Sequence, residues 1–241
     1  MKVILCGYHW TGCKALDLLL DKGHEVFVYT HESPYHIPSV KDMCIKRNIS
    51  FSTGNISESD LPFIPDVICS IYYRYIIKKK IIDSCNGKIF NLHPSLLPKY
   101  RGCSSLTWAI INGESEAGFS YHYVDEGCDT GNILLQERIK IEEWDTQETL
   151  YNKVLFAAMD CFYEAFKMVA SGTPGYPQTG EVSYFKRGCP FNGEIESTWE
   201  LPRVERFIRA MIYPPNPPAR YKGANVFSIH DYFSLLQLPE L

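Results

Sequence analysis

The chain has 241 residues, of which 45% are hydrophobic, 22% charged and 14% aromatic, and its formal net charge is -4. That balance describes a globular protein with a full core and excludes intrinsic disorder, in which aromatics are scarce and net charge is high. No apolar run approaches the ~18 residues that a spanning helix needs. Nor does the charge resemble the basic footprint of a general nucleic-acid binder: residues 1–120 carry a sum of +2 and residues 121–241 a sum of -6.

Residues 2–7 (Lys-Val-Ile-Leu-Cys-Gly) read as a first buried strand, too short for a secretory hydrophobic region. A helix is predicted over 13–22, with Leu16, Leu19 and Leu20 on one face and Gly23 as its stop. Strand 24–30, a helix over 38–47 and a short strand at 49–52 follow. The run 67–73 is apolar on both faces, as a central buried strand would be. Helix 77–85 and strand 88–92 come next. This alternation predicts an α/β fold: a Rossmann-like, mostly parallel sheet with helices on both faces.

The pattern then changes. Residues 118–124 and 132–141 read as an antiparallel pair at one edge of the sheet, joined by the turn Gly127-Cys-Asp-Thr-Gly131. Asp145-x-x-Glu148 resembles a capping box and opens a long helix that reaches Ala170. Beyond it the chain is rich in Pro, Tyr and Phe. One helix is expected there, with Pro202 in its first turn and Val204, Phe207, Ile208, Met211 and Ile212 on one face. The expected division is a main domain over 1–178 and a small C-terminal appendage over 179–241.

Nine cysteines, an odd number with no C-x-x-C, offer neither zinc spacing nor a disulfide framework. Free thiols in a reducing cytoplasm are the simplest reading. No metal site is apparent.

Three segments carry possible chemistry. Gly7-Tyr-His-Trp-Thr-Gly12 follows the first strand but lacks the dinucleotide fingerprint G-x-G-x-x-G. It reads either as a plain βα turn or as a substrate-facing loop with Trp10 and Thr11 near an anion. Lys78-Lys-Lys80 reads as a solvated helix face, or as one lysine meeting a phosphate. The most informative segment is Asn91-Leu-His93-Pro-Ser-Leu-Leu-Pro-Lys-Tyr-Arg-Gly102, at the carboxyl end of a strand, where open α/β sheets bind ligands. Alternation puts Asn91 and His93 on one side. Asp129 could complete a set of amide, imidazole and carboxylate suited to acyl transfer without a covalent nucleophile. His93 as a purely structural residue at a strand end is the other reading.

This segment, with Trp108, Asn112-Gly-Glu114 and His122-Tyr-Val-Asp-Glu-Gly-Cys-Asp129-Thr-Gly131, resembles the 10-formyltetrahydrofolate-dependent formyltransferase family through residues 66–135. Ile71-Tyr-Tyr-Arg-Tyr-Ile-Ile77 is similar to the formyltransferase half of the bifunctional UDP-4-amino-arabinose enzyme, which favours the nucleotide-sugar branch. The resemblance implies Asn91, His93 and Asp129 as the catalytic trio. It implies a formyl-folate co-substrate lying against 71–77 and 121–128, with Tyr72, Tyr73, Ile76, His122, Asp125 and Gly127 in contact. Trp10, Thr11, Lys78 and Tyr221 are the candidates for binding the acceptor. Ser105 departs from the Pro of many relatives and puts the local loop shape in question.

The tail bears on the acceptor. Residues 181–241 hold seven Lys+Arg against seven Asp+Glu. Such a neutral segment is poorly suited to a tRNA, which is gripped through many cationic contacts. Tyr184, Phe185, Tyr213 and Tyr221 could stack on a nucleobase, or serve as core or dimer contacts. The expectation is a cytoplasmic homodimer that formylates a dTDP-linked 3- or 4-amino-dideoxy sugar for surface polysaccharide such as O-antigen. It binds neither nucleic acid nor membrane. The alternatives are a methionyl-tRNA formyltransferase-like enzyme with a truncated C-terminal domain, a non-catalytic folate-binding relative, and a formate-releasing hydrolase.

Overall fold

The computed structural model describes residues 1–236, so the last five residues of the 179–241 region lie outside it. In chain order the first elements are β1 (Lys2–Gly7), α1 (His9–Asp21), β2 (Glu25–Tyr29), α2 (Val40–Arg47), β3 (Phe51–Ser52), β4 (Val67–Ile71), α3 (Lys79–Ser84) and β5 (Ile89–His93). After them come β6 (Arg101–Gly102), α4 (Ser105–Asn112), β7 (Glu116–Tyr123), β8 (Ile133–Lys140) and α5 (Gln147–Ser171). The chain ends with β9 (Tyr184–Phe185), α6 (Leu201–Ala210), β10 (Ala219–Tyr221), β11 (Ala224–Val226) and α7 (Ile229–Leu236).

Seven strands form one sheet in the order β3-β2-β1-β4-β5-β7-β8. The first five are mutually parallel, and β7 runs antiparallel to β5. This is the expected Rossmann-like sheet with its change of direction at one edge. The chain divides into two compact units: Met1–His93 with Phe119–Glu137 and Leu155–Gly180, and Pro94–Gly118 with Arg138–Val154 and Glu181–Leu241. The 179–241 region therefore shares its unit with two earlier segments.

In the first unit, period-2 alternation sorts the strand residues between two faces. Ile4, Cys6, Ile68 and Ile89 pack with Ile81 of α3 and with Cys85 just beyond it on one face. On the other, Phe90 lies 6.0 Å from Phe162 of α5, and the buried Tyr121 hydroxyl donates to the Ala158 carbonyl at 2.8 Å. Helices thus cover both faces. Every residue of β4 is buried, which is why its sequence shows no alternation.

Helix α1 begins earlier than the periodicity suggests. It starts at His9, with Tyr8 as its N-cap, so the segment 7–12 is not an open loop. Its glycines have a packing reason. A Cβ on Gly12 would lie 3.0 Å from the backbone of Gly7 and 3.0 Å from Val40, so strand and helix approach too closely for a side chain.

The second unit holds most of what periodicity did not reveal. α4 (Ser-Leu-Thr-Trp-Ala-Ile-Ile-Asn) is buried nearly all round and so carries no polar stripe to mark it as a helix. Phe185 stacks on Tyr100 (centroids 5.6 Å apart) and on Trp108 (4.5 Å), while Arg203 of α6 lies 4.4 Å over the Trp199 ring. β6 pairs in parallel with β9, and β10 with β11 as a hairpin. α6 buries Val204, Phe207 and Ile208 as expected from its pattern.

Candidate active site

The sheet register assembles the site. Ser70 on β4 pairs with Asn91 on β5, and Asn91 pairs with His122 on β7. Cys6 on β1 pairs with Ser70, and Tyr29 on β2 pairs with Cys6. One row across the sheet therefore reads Tyr29, Cys6, Ser70, Asn91, His122. From β4 onward its members bond to one another, whereas the Tyr29 hydroxyl on β2 donates to the Asp60 carbonyl at 3.3 Å.

The polar half of that row is a continuous chain of bonds. Ser70 Oγ donates to Asn91 Oδ1 at 2.8 Å. Asn91 Nδ2 lies 3.2 Å from His122 Nε2, and His122 Nδ1 lies 2.7 Å from the Tyr123 carbonyl. A carbonyl can only accept, so Nδ1 carries the proton; in the neutral ring Nε2 then accepts from Asn91. The amide is held at both ends.

Asp129 lies beside this chain. Its Oδ2 is 3.5 Å from His93 Nδ1, and its Oδ1 is 3.5 Å from His122 Nε2. Both imidazoles are buried. Asp129 sits in the left-handed region (φ 53°), a conformation aspartate tolerates better than most residues and one that recurs at functional sites. Four hydrogen bonds hold its turn. Asp125 Oδ1 accepts from Gly127 N at 3.1 Å and from Thr130 Oγ1 at 2.6 Å. Gln178 Nε2 donates to the Asp129 and Gly131 carbonyls, each at 2.8 Å. Gly131 is needed as glycine, because a Cβ there would run into the Tyr123 carbonyl.

The structure thus brings together Asn91, His93, His122 and Asp129, with Asp125 and Gly127 shaping the turn that presents Asp129. The other candidates lie differently. Tyr72 is half-buried at φ 60°, its ring 6.1 Å from that of His9. The Tyr73 hydroxyl is taken up by the 54–56 backbone, accepting from Ile56 N at 3.0 Å and donating to the Gly54 carbonyl at 3.1 Å. Ile76 is 80% exposed, and Lys78 is an exposed residue that caps α3.

Three candidates for the acceptor are placed otherwise than the sequence suggests. Thr11 is not in a loop. It is fully buried within α1, and its hydroxyl donates to the Tyr8 carbonyl at 3.3 Å. Trp10 also belongs to α1, with its ring 4.8 Å from that of Phe156. Tyr221 is buried in the β10–β11 hairpin, with its ring 4.9 Å from that of Tyr232, so its face is occupied by the protein.

Sequence reasoning missed Ser70, Gln178 and His31. A serine inside the apolar run 67–73 was a usable signal. Gln178 gave none, being 49 residues from the carbonyl it holds. His31, just past the carboxyl end of β2, is buried and stacks on Tyr8 with centroids 4.0 Å apart. Burial, and secondarily the charge of Arg74, lowers His31 to about 4; burial lowers His9 to about 4. Both folded values lie below the ordinary value near 6.5. The stability these rings contribute is complete above about pH 6.5 and is lost as pH falls toward 4. Replacing His31 with Gln is expected to flatten the fall in Tm between those pH values. A calorimetric series at pH 4–7 with the wild-type slope would remove His31 as a source.

With the site described, comparison with known proteins places the chain. The formyl transferase family model matches residues 16–166. The chain belongs to the formyl transferase family. This formyltransferase is 41% identical over 229 residues to the GDP-perosamine N-formyltransferase of Brucella melitensis biotype 1, covering 92% of this chain and 88% of that one. It is 36% identical over 230 residues to the bifunctional polymyxin resistance protein ArnA of Wigglesworthia glossinidia brevipalpis, covering 89% of this chain and 35% of that protein. Its fold is that of the N-formyltransferase from Helicobacter canadensis, solved with folinic acid and dTDP-3-aminofucose. The TM-score is 0.81 at 24% identity, over 94% of this chain and 86% of that one. Among the described residues no helix is long and apolar enough to cross a membrane.

Proposed function

We propose that this formyltransferase moves a formyl group from 10-formyltetrahydrofolate to the amine of a nucleotide-linked amino sugar, and that the nucleotide is GDP. The observation that carries this reading is the 41% identity to a GDP-perosamine N-formyltransferase over nearly the whole of both chains. It favours GDP over the dTDP expected from sequence.

Asn91, His93 and Asp129 are the proposed catalytic trio. The donor would lie against segments 71–77 and 121–128, which leave the two strands that flank β5. When bound, it supplies an electrophilic formyl carbon. The amine attacks as the neutral base. Asn91 donates an N–H to the oxygen that gains negative charge, and a preorganised donor of this kind is typically worth ~3–4 kcal/mol. As the new amide bond forms, the bond between the formyl carbon and folate N10 breaks. His93, oriented through Nδ1 by Asp129, takes the amine proton through Nε2 and passes it to the departing N10. His122 holds Asn91 and faces Asp129, so its part is to fix both. Tyr72, Asp125 and Gly127 remain proposed donor contacts. Lys78 and Trp10 remain proposed acceptor contacts.

The region 179–241 is proposed to contribute acceptor and homodimer contacts. Exposed Tyr184, Phe227, Phe233 and Leu236 in that region support this. Nine cysteines without a disulfide support a cytoplasmic setting, and a surface polysaccharide such as O-antigen is the proposed destination of the product.

The test is a formyl-transfer assay with 10-formyltetrahydrofolate and a panel of acceptors. These are GDP-perosamine, dTDP-3-amino and dTDP-4-amino sugars, a UDP-4-amino sugar and charged initiator tRNA. Transfer to GDP-perosamine with at least tenfold higher kcat/KM than to any other acceptor is expected. Preference for a dTDP sugar would overturn the choice of nucleotide. Transfer to tRNA alone, or formate release without an acceptor, would overturn the sugar reading.

A further inference from the structure

We propose that Ser70 is a positioning residue for formyl transfer, acting by fixing which end of the Asn91 amide faces the reaction. The inference rests on the role assigned to Asn91 above.

Ser70 lies in β4 among Val67, Ile68, Cys69 and Ile71, all fully buried. A hydroxyl in that setting must find a partner within the protein. It finds Asn91 Oδ1 at 2.8 Å, on the residue paired with it in the strand register. The bond lies along the same row as Asn91 Nδ2 to His122 Nε2 at 3.2 Å, and His122 Nδ1 to the Tyr123 carbonyl at 2.7 Å.

This row decides a question that shape leaves open. The two ends of an asparagine amide are nearly the same size, so packing alone does not choose between them. Polarity does. In the neutral ring of His122 the one proton sits on Nδ1, facing the Tyr123 carbonyl, so Nε2 accepts and the NH2 end of Asn91 faces His122. The carbonyl end then faces Ser70, whose hydroxyl donates to it. The second N–H of Asn91 remains for an oxygen that gains negative charge. If the amide turned over, Asn91 would set its carbonyl oxygen against both Nε2 and that developing charge, which opposes transfer. Removing the Ser70 hydroxyl takes away one of the two bonds that prevent this. It also leaves Asn91 Oδ1 without that donor at a site where substitutes are scarce, since the neighbouring strand residues are apolar.

The consequence lies in kcat rather than binding, because the oxyanion develops only in the transition state. Steady-state kinetics of Ser70→Ala, Ser70→Thr and Asn91→Ala, with calorimetric Tm for each, test it. Ser70→Ala is expected to lower kcat at least tenfold with KM for both substrates within twofold of wild type. Ser70→Thr, which keeps the hydroxyl, is expected to recover most of the loss. A merely structural serine would move Tm without this kcat-against-KM split. A Ser70→Ala kcat within twofold of wild type overturns the inference, and so does a loss that Ser70→Thr fails to recover. If Asn91→Ala is crippled while Ser70→Ala is not, this inference alone falls. If Asn91→Ala keeps wild-type turnover, the reading of Asn91 as the oxyanion donor falls with it.

Discussion

Replacement of His93 by Asn is expected to lower kcat for formyl transfer by about two to three orders of magnitude. A positioned general acid–base typically contributes 10²–10⁴-fold. His93 is buried, at the end of β5, with Nδ1 3.5 Å from the Asp129 carboxylate. Asparagine at this position can still donate a hydrogen bond, but it cannot take up a proton near neutral pH. The loss therefore isolates proton transfer from oxyanion stabilisation. Steady-state turnover with 10-formyltetrahydrofolate and the preferred acceptor measures it, and binding of a non-transferable folate checks that the site still assembles. Turnover within a few-fold of wild type would remove His93 from the chemistry and leave Asn91 and Asp129 to account for it.

The second large effect concerns stability. Phe162→Ala is expected to destabilise the protein by about 3–5 kcal/mol, the usual range for deleting a buried phenylalanine. Phe162 is fully buried on the face of α5 that also carries Leu155, Ala158, Phe166 and Val169. Its ring lies 6.0 Å from that of Phe90, which in turn lies 5.8 Å from that of Tyr121. Phe90 precedes Asn91, and Tyr121 precedes His122, so this packing supports the strands that carry the site. For a chain of this length Tm should fall by about 6–20 °C, at about 2–4 °C per kcal/mol. Phe156, on the same helix but 61% exposed and meeting the Trp10 ring, is the control: its truncation should cost no more than about 1.5 kcal/mol. Equal Tm shifts for the two variants in calorimetry would contradict the packing described.

Much of the first unit was readable because its signals are local. The apolar run at 2–7, the two-faced apolar run at 67–73 and the amphipathic period after Asp145 each reflect neighbours along the chain, and each became the expected strand or helix. Failures came where burial is not one-sided. α4 lacks a polar stripe, so no period marks it. In the segment 7–12 the glycines left a plain βα turn and a substrate-facing loop both open, and the structure starts α1 at His9, with Gly12 against the backbone of Gly7.

Among the site residues the chemical types are legible in the chain, and alternation places Asn91 and His93 on one side of β5. The long ordered motif between residues 91 and 131 carries the family resemblance as well. Only the tertiary structure decided which groups meet. Asp129 lies 36 residues from His93 yet faces it across 3.5 Å, and Ser70 reaches Asn91 because β4 and β5 pair in one particular register. Tyr221, legible as a stacking surface, is buried in its hairpin with its ring 4.9 Å from that of Tyr232. The physical reason is common to all three. Propensity and periodicity act over a few residues, whereas strand register and burial are set by the packing of the whole chain.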